Sequence, residues 1–299
     1  MPRLILACVF LVGVIGECAL AQNNTGEQLD SLIVDGVKRQ WRMYVPPSYK
    51  KGTAMPLVLD FHGTGSAPYR EAALSEFEKL AAEKGFLVAS PAATYHRKGD
   101  GKVTWNVDLQ QEGVNDVQFI RLLISHLSKQ FSVNPAKIYA AGMSGGARMS
   151  SRLACDLSDV IAAIGPVAGV RYPEDCKPTR PVPVITFHGK RDGINHYEHQ
   201  PDSPPHWRMG VEQAISGWVK NNQCVNSPTA ERITTAVTRL SFSGCKDGAD
   251  VVLYRSEDAG HTWPGSPLTN LLKKMELGKS NTDVPATRLI WEFFEAYSL

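Results

Sequence analysis

Gly142-Met143-Ser144-Gly145-Gly146 has the spacing G-x-S-x-G, the sharp strand-to-helix turn that lifts a serine hydroxyl clear of a sheet. Such a hydroxyl is a weak nucleophile until a base takes its proton, and the base needs a third group to fix its tautomer. On a sheet that uses this turn, the partners follow in the order acid, then histidine. Asp192, in His188-Gly189-Lys190-Arg191-Asp192, lies just past one apolar run, and His261, in Gly260-His261-Thr262-Trp263-Pro264-Gly265, lies just past another. Ser144, Asp192 and His261 have the residue types for acyl transfer. The tetrahedral oxyanion of that reaction needs amide donors. His62-Gly63-Thr64-Gly65 follows the first strong apolar run, so the N–H groups of Thr64 and Gly145 are the expected pair.

Other residues compete for these roles. Asp258 stands only three positions before His261, and Asp175 is hemmed in by Cys176 and prolines. His188 ends an apolar run and reads as a packed structural histidine. His196, His199 and His206 fall in a proline-bearing stretch from His196 to Trp207 that reads as an inserted loop. His196 and His199 would hold a metal only on a helix, so neither metal nor cofactor is expected. Met143, Trp105 and Trp263, with Trp207 beside them, are candidates to contact substrate, and packed core anchors are the alternative.

The elements that must position these groups are legible as alternating apolar and amphipathic runs. Residues 56–61, 86–90, 137–141, 161–167, 182–187 and 251–255 read as strands, and 71–84, 117–131, 145–157 and 284–297 as helices. Near-continuous apolar strands separated by helices imply an α/β fold whose mostly parallel central sheet is covered by helices on both faces. Ser144, Asp192 and His261 then all sit at strand C-terminal ends, where open α/β sheets collect their ligands.

The chain has 299 residues, a formal net charge of +2, 43% hydrophobic and 21% charged side chains, the range of an ordinary globular protein. The longest basic clusters, Lys50-Lys51 and Lys273-Lys274, are too short to displace counterions from phosphate, so no nucleic-acid partner is expected. Arg3, the apolar stretch Leu4 to Gly16 and the sequence Ala19-Leu20-Ala21 read as a signal peptide over 1–21, with a single catalytic domain over 22–299. A lipid anchor at Cys18 is disfavoured by Glu17. Secretion or a periplasmic location is therefore expected, with no membrane attachment after cleavage.

Beyond the leader stand Cys155, Cys176, Cys224 and Cys245, an even count that favours two disulfides in an exported chain. Three pairings are possible. Cys155 with Cys176 and Cys224 with Cys245 is the favoured one, since each closes a local loop, and no CxxC spacing supports zinc.

The run Ile138 to Gly146, with Arg152-Leu153-Ala154-Cys155 and Ile164-Gly165-Pro166-Val167-Ala168-Gly169, resembles the secreted polyhydroxybutyrate depolymerase and feruloyl esterase family, a group related to carbohydrate esterase family one. The segments holding Asp192, His261 and Thr64 look like that family's acid, base and oxyanion motifs, and the likeness spans nearly all of the chain beyond the leader. The resemblance implies an α/β-hydrolase fold and a metal-independent serine esterase acting on feruloyl or acetyl esters of plant polysaccharide. A polyester oligomer of the polyhydroxyalkanoate type is the alternative substrate, and a binding protein on an inactive scaffold the alternative outside catalysis. The chain departs from the family in Gly145-Gly146-Ala147-Arg148, where many relatives carry Asn or Met-rich sequence after the nucleophile, and in a segment after Asp192 that is longer and richer in His and Pro.

Overall fold

A computed structural model describes residues 25–299; the expected leader lies outside the described residues. Near the start, β1 (Gly26–Val34) and β2 (Val37–Val45) form an antiparallel hairpin about Asp35-Gly36. They are followed by β3 (Met55–Phe61), α1 (Pro68–Ser75), α2 (Phe77–Lys84), β4 (Leu87–Pro91), and the two-residue strands β5 (Tyr95–His96) and β6 (Val103–Thr104). The middle of the chain adds α3 (Asp116–Gln130), β7 (Val133–Met143), α4 (Gly145–Asp156), β8 (Ala163–Val167) and β9 (Val184–Gly189). The remainder is α5 (Val211–Asn221), β10 (Thr229–Arg232), β11 (Val237–Phe242), β12 (Val251–Ser256), α6 (Thr269–Lys274) and α7 (Ala286–Glu295).

Ten strands form one sheet in the order β1-β2-β4-β3-β7-β8-β9-β12-β11-β10. From β4 to β12 every neighbour is parallel, and antiparallel pairs close both flanks. Burial on both faces explains why β3, β8 and β9 read as unbroken apolar runs. Side chains alternate between two cores, as a strand's period of two requires. Leu57, Leu59, Ile138 and Ala140 join Phe119 and Leu123 of α3, Leu153 of α4 and Trp218 of α5 on one face. Val58, Tyr139 and Ala141 join Phe77 and Leu80 of α2 and Ile290, Trp291 and Phe294 of α7 on the other. This is the α/β-hydrolase arrangement expected.

One expectation needs correction, and two further features add to the reading. The helix expected over 71–84 is two helices, broken at Glu76, whose φ of 54° and ψ of 25° are left-handed. The break follows from Ser75. Its hydroxyl donates to Asp60 Oδ2 at 2.7 Å and accepts from the Phe77 amide at 3.3 Å, a local bonding pattern that competes with the helix ladder. Secondly, the antiparallel flanks β1–β2 and β10–β11 were not expected at all. Thirdly, the expected inserted loop is closely packed: Tyr197 and Trp207 are buried, and the Trp207 indole donates to the His196 carbonyl at 2.7 Å. Disulfides join Cys155 to Cys176 and Cys224 to Cys245, the favoured pairing. No helix among the described residues is long and apolar enough to cross a membrane.

Candidate active site

Ser144 stands between β7 and α4 with φ 55° and ψ −109°, outside the regions a side chain ordinarily adopts and of a kind that clusters at functional sites. Its amide is fixed by the Val167 carbonyl at 2.9 Å, and its carbonyl accepts the first bond of α4, from the Arg148 amide at 3.1 Å. Only glycine fits around this turn. A Cβ on Gly146 would lie 1.8 Å from the Phe61 carbonyl oxygen, and one on Gly142 would lie 2.3 Å from it.

Asp192 and His261 are brought together by the loops that follow β9 and β12. Gly189 packs its backbone against Ala259, and the Arg191 amide donates to the Ala259 carbonyl at 3.0 Å. The His261 amide donates to Leu277 at 2.7 Å, fixing the second loop from behind. His261 Nδ1 then lies 2.8 Å from Asp192 Oδ2, both side chains being buried. The other carboxylate oxygen, Oδ1, accepts the amides of Ile194 and Asn195, each at 2.8 Å. Burial pushes the Asp192 carboxyl up, but the His261 charge and the hydrogen bonds from His188 and His261 outweigh it and hold the group well below the usual carboxylate range. Among the described residues no hydrogen bond joins the Ser144 hydroxyl to His261; such contacts are often long in free enzymes.

The rival carboxylates are engaged elsewhere. Asp175 pairs with Arg152 at 2.8 Å, and Asp258 pairs with Lys279 and Asn281. His188 is a packed histidine whose Nε2–H donates to the Asn195 carbonyl at 2.9 Å.

On the opposite side of Ser144 lies the loop after β3. His62 is a neutral brace there: its Nε2 accepts the Ala93 amide at 3.1 Å, so Nδ1 carries the proton and donates to the Gly63 carbonyl at 2.8 Å. Burial lowers its pKa in the same sense. Gly65 donates to Val103 at 2.8 Å, and the Thr64 hydroxyl pairs with that of Thr104 at 2.8 Å, so β6 holds the loop against the turn. A Cβ on Gly145 would lie 2.9 Å from the Thr64 amide nitrogen and 2.6 Å from its Oγ1. The backbone of Gly145 therefore packs closely against that of Thr64. Gly145→Ala would drive its Cβ into Thr64 and push the two backbones apart, and we expect kcat for p-nitrophenyl acetate to fall about 10²–10³-fold, comparable to the loss of one oxyanion donor. Unchanged kcat in a folded variant would remove these amides from the reaction.

The three residues expected at the substrate are engaged in the loops and the core. Met143, Trp105 and Trp263 are all buried. The Trp105 indole donates to the His62 carbonyl at 2.9 Å and packs edge-on against Phe61, and the Trp263 indole donates to Thr287 Oγ1 at 3.0 Å. Met143 packs in the core beneath α2 and α7. Their large apolar surfaces are spent on holding the loops, the alternative that residue type alone left open.

Beneath the turn lies a feature that sequence reasoning missed. Asp60 on β3 and Glu71 on α1 are fully buried carboxyls, and the amides of Met143 and Gly63 donate toward Glu71. Burial pushes Asp60 up to about 7, and burial together with the Asp60 charge pushes Glu71 well above the usual range. Both pKa values exceed their unfolded ones, so the stability this pair contributes is fully present below about pH 4 and drains away as pH rises through the folded values. Glu71→Gln should flatten that loss, raising Tm at pH 8 relative to wild type by about 2–4 °C per kcal/mol recovered. Thermal melts of both proteins between pH 5 and 8 check it, and parallel curves would refute it.

Residues 40–250 match the family model described as esterase PHB depolymerase. The chain belongs to that family. The matched span holds Ser144, Asp192 and Thr64, and His261 lies beyond it. Curated relatives of this family member include feruloyl esterase B of Piromyces equi, 32% identical over 226 residues that cover 72% of this chain and 41% of that one. A bifunctional acetylxylan esterase/xylanase of Neocallimastix patriciarum is 28% identical over 76% of this chain and 31% of its own length. The chain thus spans less than half the length of these two relatives. Among solved structures, the acetyl xylan esterase of Aspergillus awamori superposes with a TM-score of 0.56 at 15% identity, covering 84% of this chain and 98% of that one, a likeness of fold.

Proposed function

We propose that this chain is a secreted serine esterase, its catalytic domain running over 22–299, that hydrolyses carboxylic esters through an acyl-enzyme. The observation that carries the reading is the buried Asp192–His261 hydrogen bond at the same sheet edge as a left-handed Ser144. Ser144 attacks the ester carbonyl while His261 Nε2 takes its proton. The Thr64 and Gly145 amides receive the oxyanion, and His261 returns the proton to the leaving alcohol. Water then repeats the sequence on the acyl-enzyme, with Asp192 holding the imidazole in one tautomer throughout. Nothing in the sequence asks for a cofactor.

Feruloyl or acetyl esters of plant polysaccharide are the substrate class supported by the similarity to a feruloyl esterase and an acetylxylan esterase. The family's description favours a polyester as the second reading. Secretion is supported by the two disulfides, which persist in oxidising compartments. The test is release of p-nitrophenol from acetate and butyrate esters, with methyl ferulate alongside and Ser144→Ala as control. Activity surviving in the variant would sink the serine mechanism, and the ferulate-to-butyrate ratio separates the two substrates.

A further inference from the structure

Arg148 is a charge for which the fold supplies no countercharge. It lies in the first turn of α4, four residues past Ser144, and is 3% exposed. A guanidinium has five N–H donors. The two bonds formed here are long and go to neutral oxygens, Asn195 Oδ1 at 3.4 Å and Thr64 Oγ1 at 3.5 Å. Nearby arginines differ: Arg171 pairs with Asp108 at 2.7 Å, Arg97 pairs with Asp100, and Arg152, one turn further along α4, pairs with Asp175 at 2.8 Å. Among the described residues no carboxylate pairs with Arg148. The nearest acidic influences come from Asp108 and Asp192, already held by Arg171 and by His261. Burial, then the fields of Arg171 and Arg97, push the guanidinium down to about 9, so it remains cationic at neutral pH but poorly accommodated. A buried, unpaired charge is expensive, and a carboxylate received side-on would offset that expense with two parallel charge-assisted bonds.

The place of this charge relates it to the reaction. The Thr64 backbone nitrogen lies against Gly145, and the Thr64 hydroxyl oxygen accepts from Arg148. Asn195 accepts from Arg148 through Oδ1 and donates its own amide to Asp192. Arg97 Nη1 lies 3.0 Å from His206 Nδ1, and burial with the charges of Arg148 and Arg97 pushes His206 down to about 3, so the half-buried His206 of the inserted loop adds no competing imidazolium.

We infer that Arg148 is the centre of an anion subsite beside the oxyanion hole, fitted to esters that carry a carboxylate a few bonds from the scissile carbonyl. The inference rests on the esterase reading above and adds a substrate class to it. The carboxylate belongs either to the acyl group, as in a dicarboxylic half-ester, or to the alcohol, as in an ester of a hydroxy acid.

Two pairs of substrates distinguish these sources: monomethyl succinate against methyl succinamate, and 3-acetoxypropanoate against 3-acetoxypropanamide. In each pair the neutral amide replaces the carboxylate at nearly constant shape. We expect the anionic member of at least one pair to have the higher kcat/KM by tenfold or more. That ratio should fall at least tenfold in Arg148→Gln, return in part in Arg148→Lys, and shrink as salt is raised. A ratio unmoved in folded Arg148→Gln, or neutral esters preferred in both pairs by the wild type, would overturn the subsite. Should Arg148→Gln not fold, the wild-type protein still decides: succinate must inhibit neutral-ester hydrolysis competitively where succinamide does not, and equal effects would overturn the proposal. Failure of the esterase reading looks different, because neutral-ester hydrolysis would then survive Ser144→Ala.

Discussion

Ser144→Ala is expected to lower kcat for p-nitrophenyl butyrate by about 10⁶-fold, leaving only the residual rate that binding and the proposed oxyanion donors sustain without a nucleophile. The size of the effect follows from the local geometry. The turn is held by the Val167 carbonyl, by the Arg148 amide and by the contacts of Gly142 and Gly146 with Phe61, none of which uses the hydroxyl. Alanine inherits the same left-handed backbone and loses one oxygen, so the fold and Tm should be nearly unchanged while covalent chemistry stops. Burst kinetics before and after the substitution, with a melt on the same sample, make the measurement. A residual rate within tenfold of wild type would transfer the reaction to another group.

Asp192→Asn comes second, with an expected loss in kcat of about 10³–10⁴-fold and little change in KM. The Ile194 and Asn195 amides both donate to Oδ1, so an asparagine would keep its carbonyl oxygen there and turn its NH₂ toward His261. Nδ1 of the imidazole would then have to accept, which moves the proton to Nε2, the nitrogen needed as base. In the proposed mechanism Asp192 acts only through His261, so combining this change with Ser144→Ala should add almost nothing to the loss. A multiplicative double variant would show that Asp192 acts elsewhere.

The parallel heart of the sheet was legible because β3, β7, β9 and β12 are buried on both faces and so spell themselves as apolar runs. The hairpin β1–β2 was not, because only one face is covered: Leu29 and Ile33 of β1 stand exposed, and the surviving signal was the Asp35-Gly36 turn. At the site, chain order and strand ends sufficed to bring Asp192 and His261 to one place. Asn195 left a trace too, in the Asp-x-x-Asn spacing of a turn capped by its own aspartate. The burial of Trp105 and Trp263 left none, since residue type does not reveal which side of a loop a ring faces. Arg148 misleads for a similar reason: a charge in the first turn of a helix ordinarily reads as solvated, and only the fold closes over it.

The two disulfides carry a consequence for how the molecule is made. Each joins a cysteine to the next one along the described chain, 21 residues on in both cases. A polypeptide threading N-terminus first through a pore therefore offers Cys155 its native partner before any other of the four, and Cys224 and Cys245 emerge after that bond has had time to close. Oxidation in order of emergence is correct oxidation, and a chain of this design can cross into an oxidising compartment without relying on later reshuffling of its cross-links.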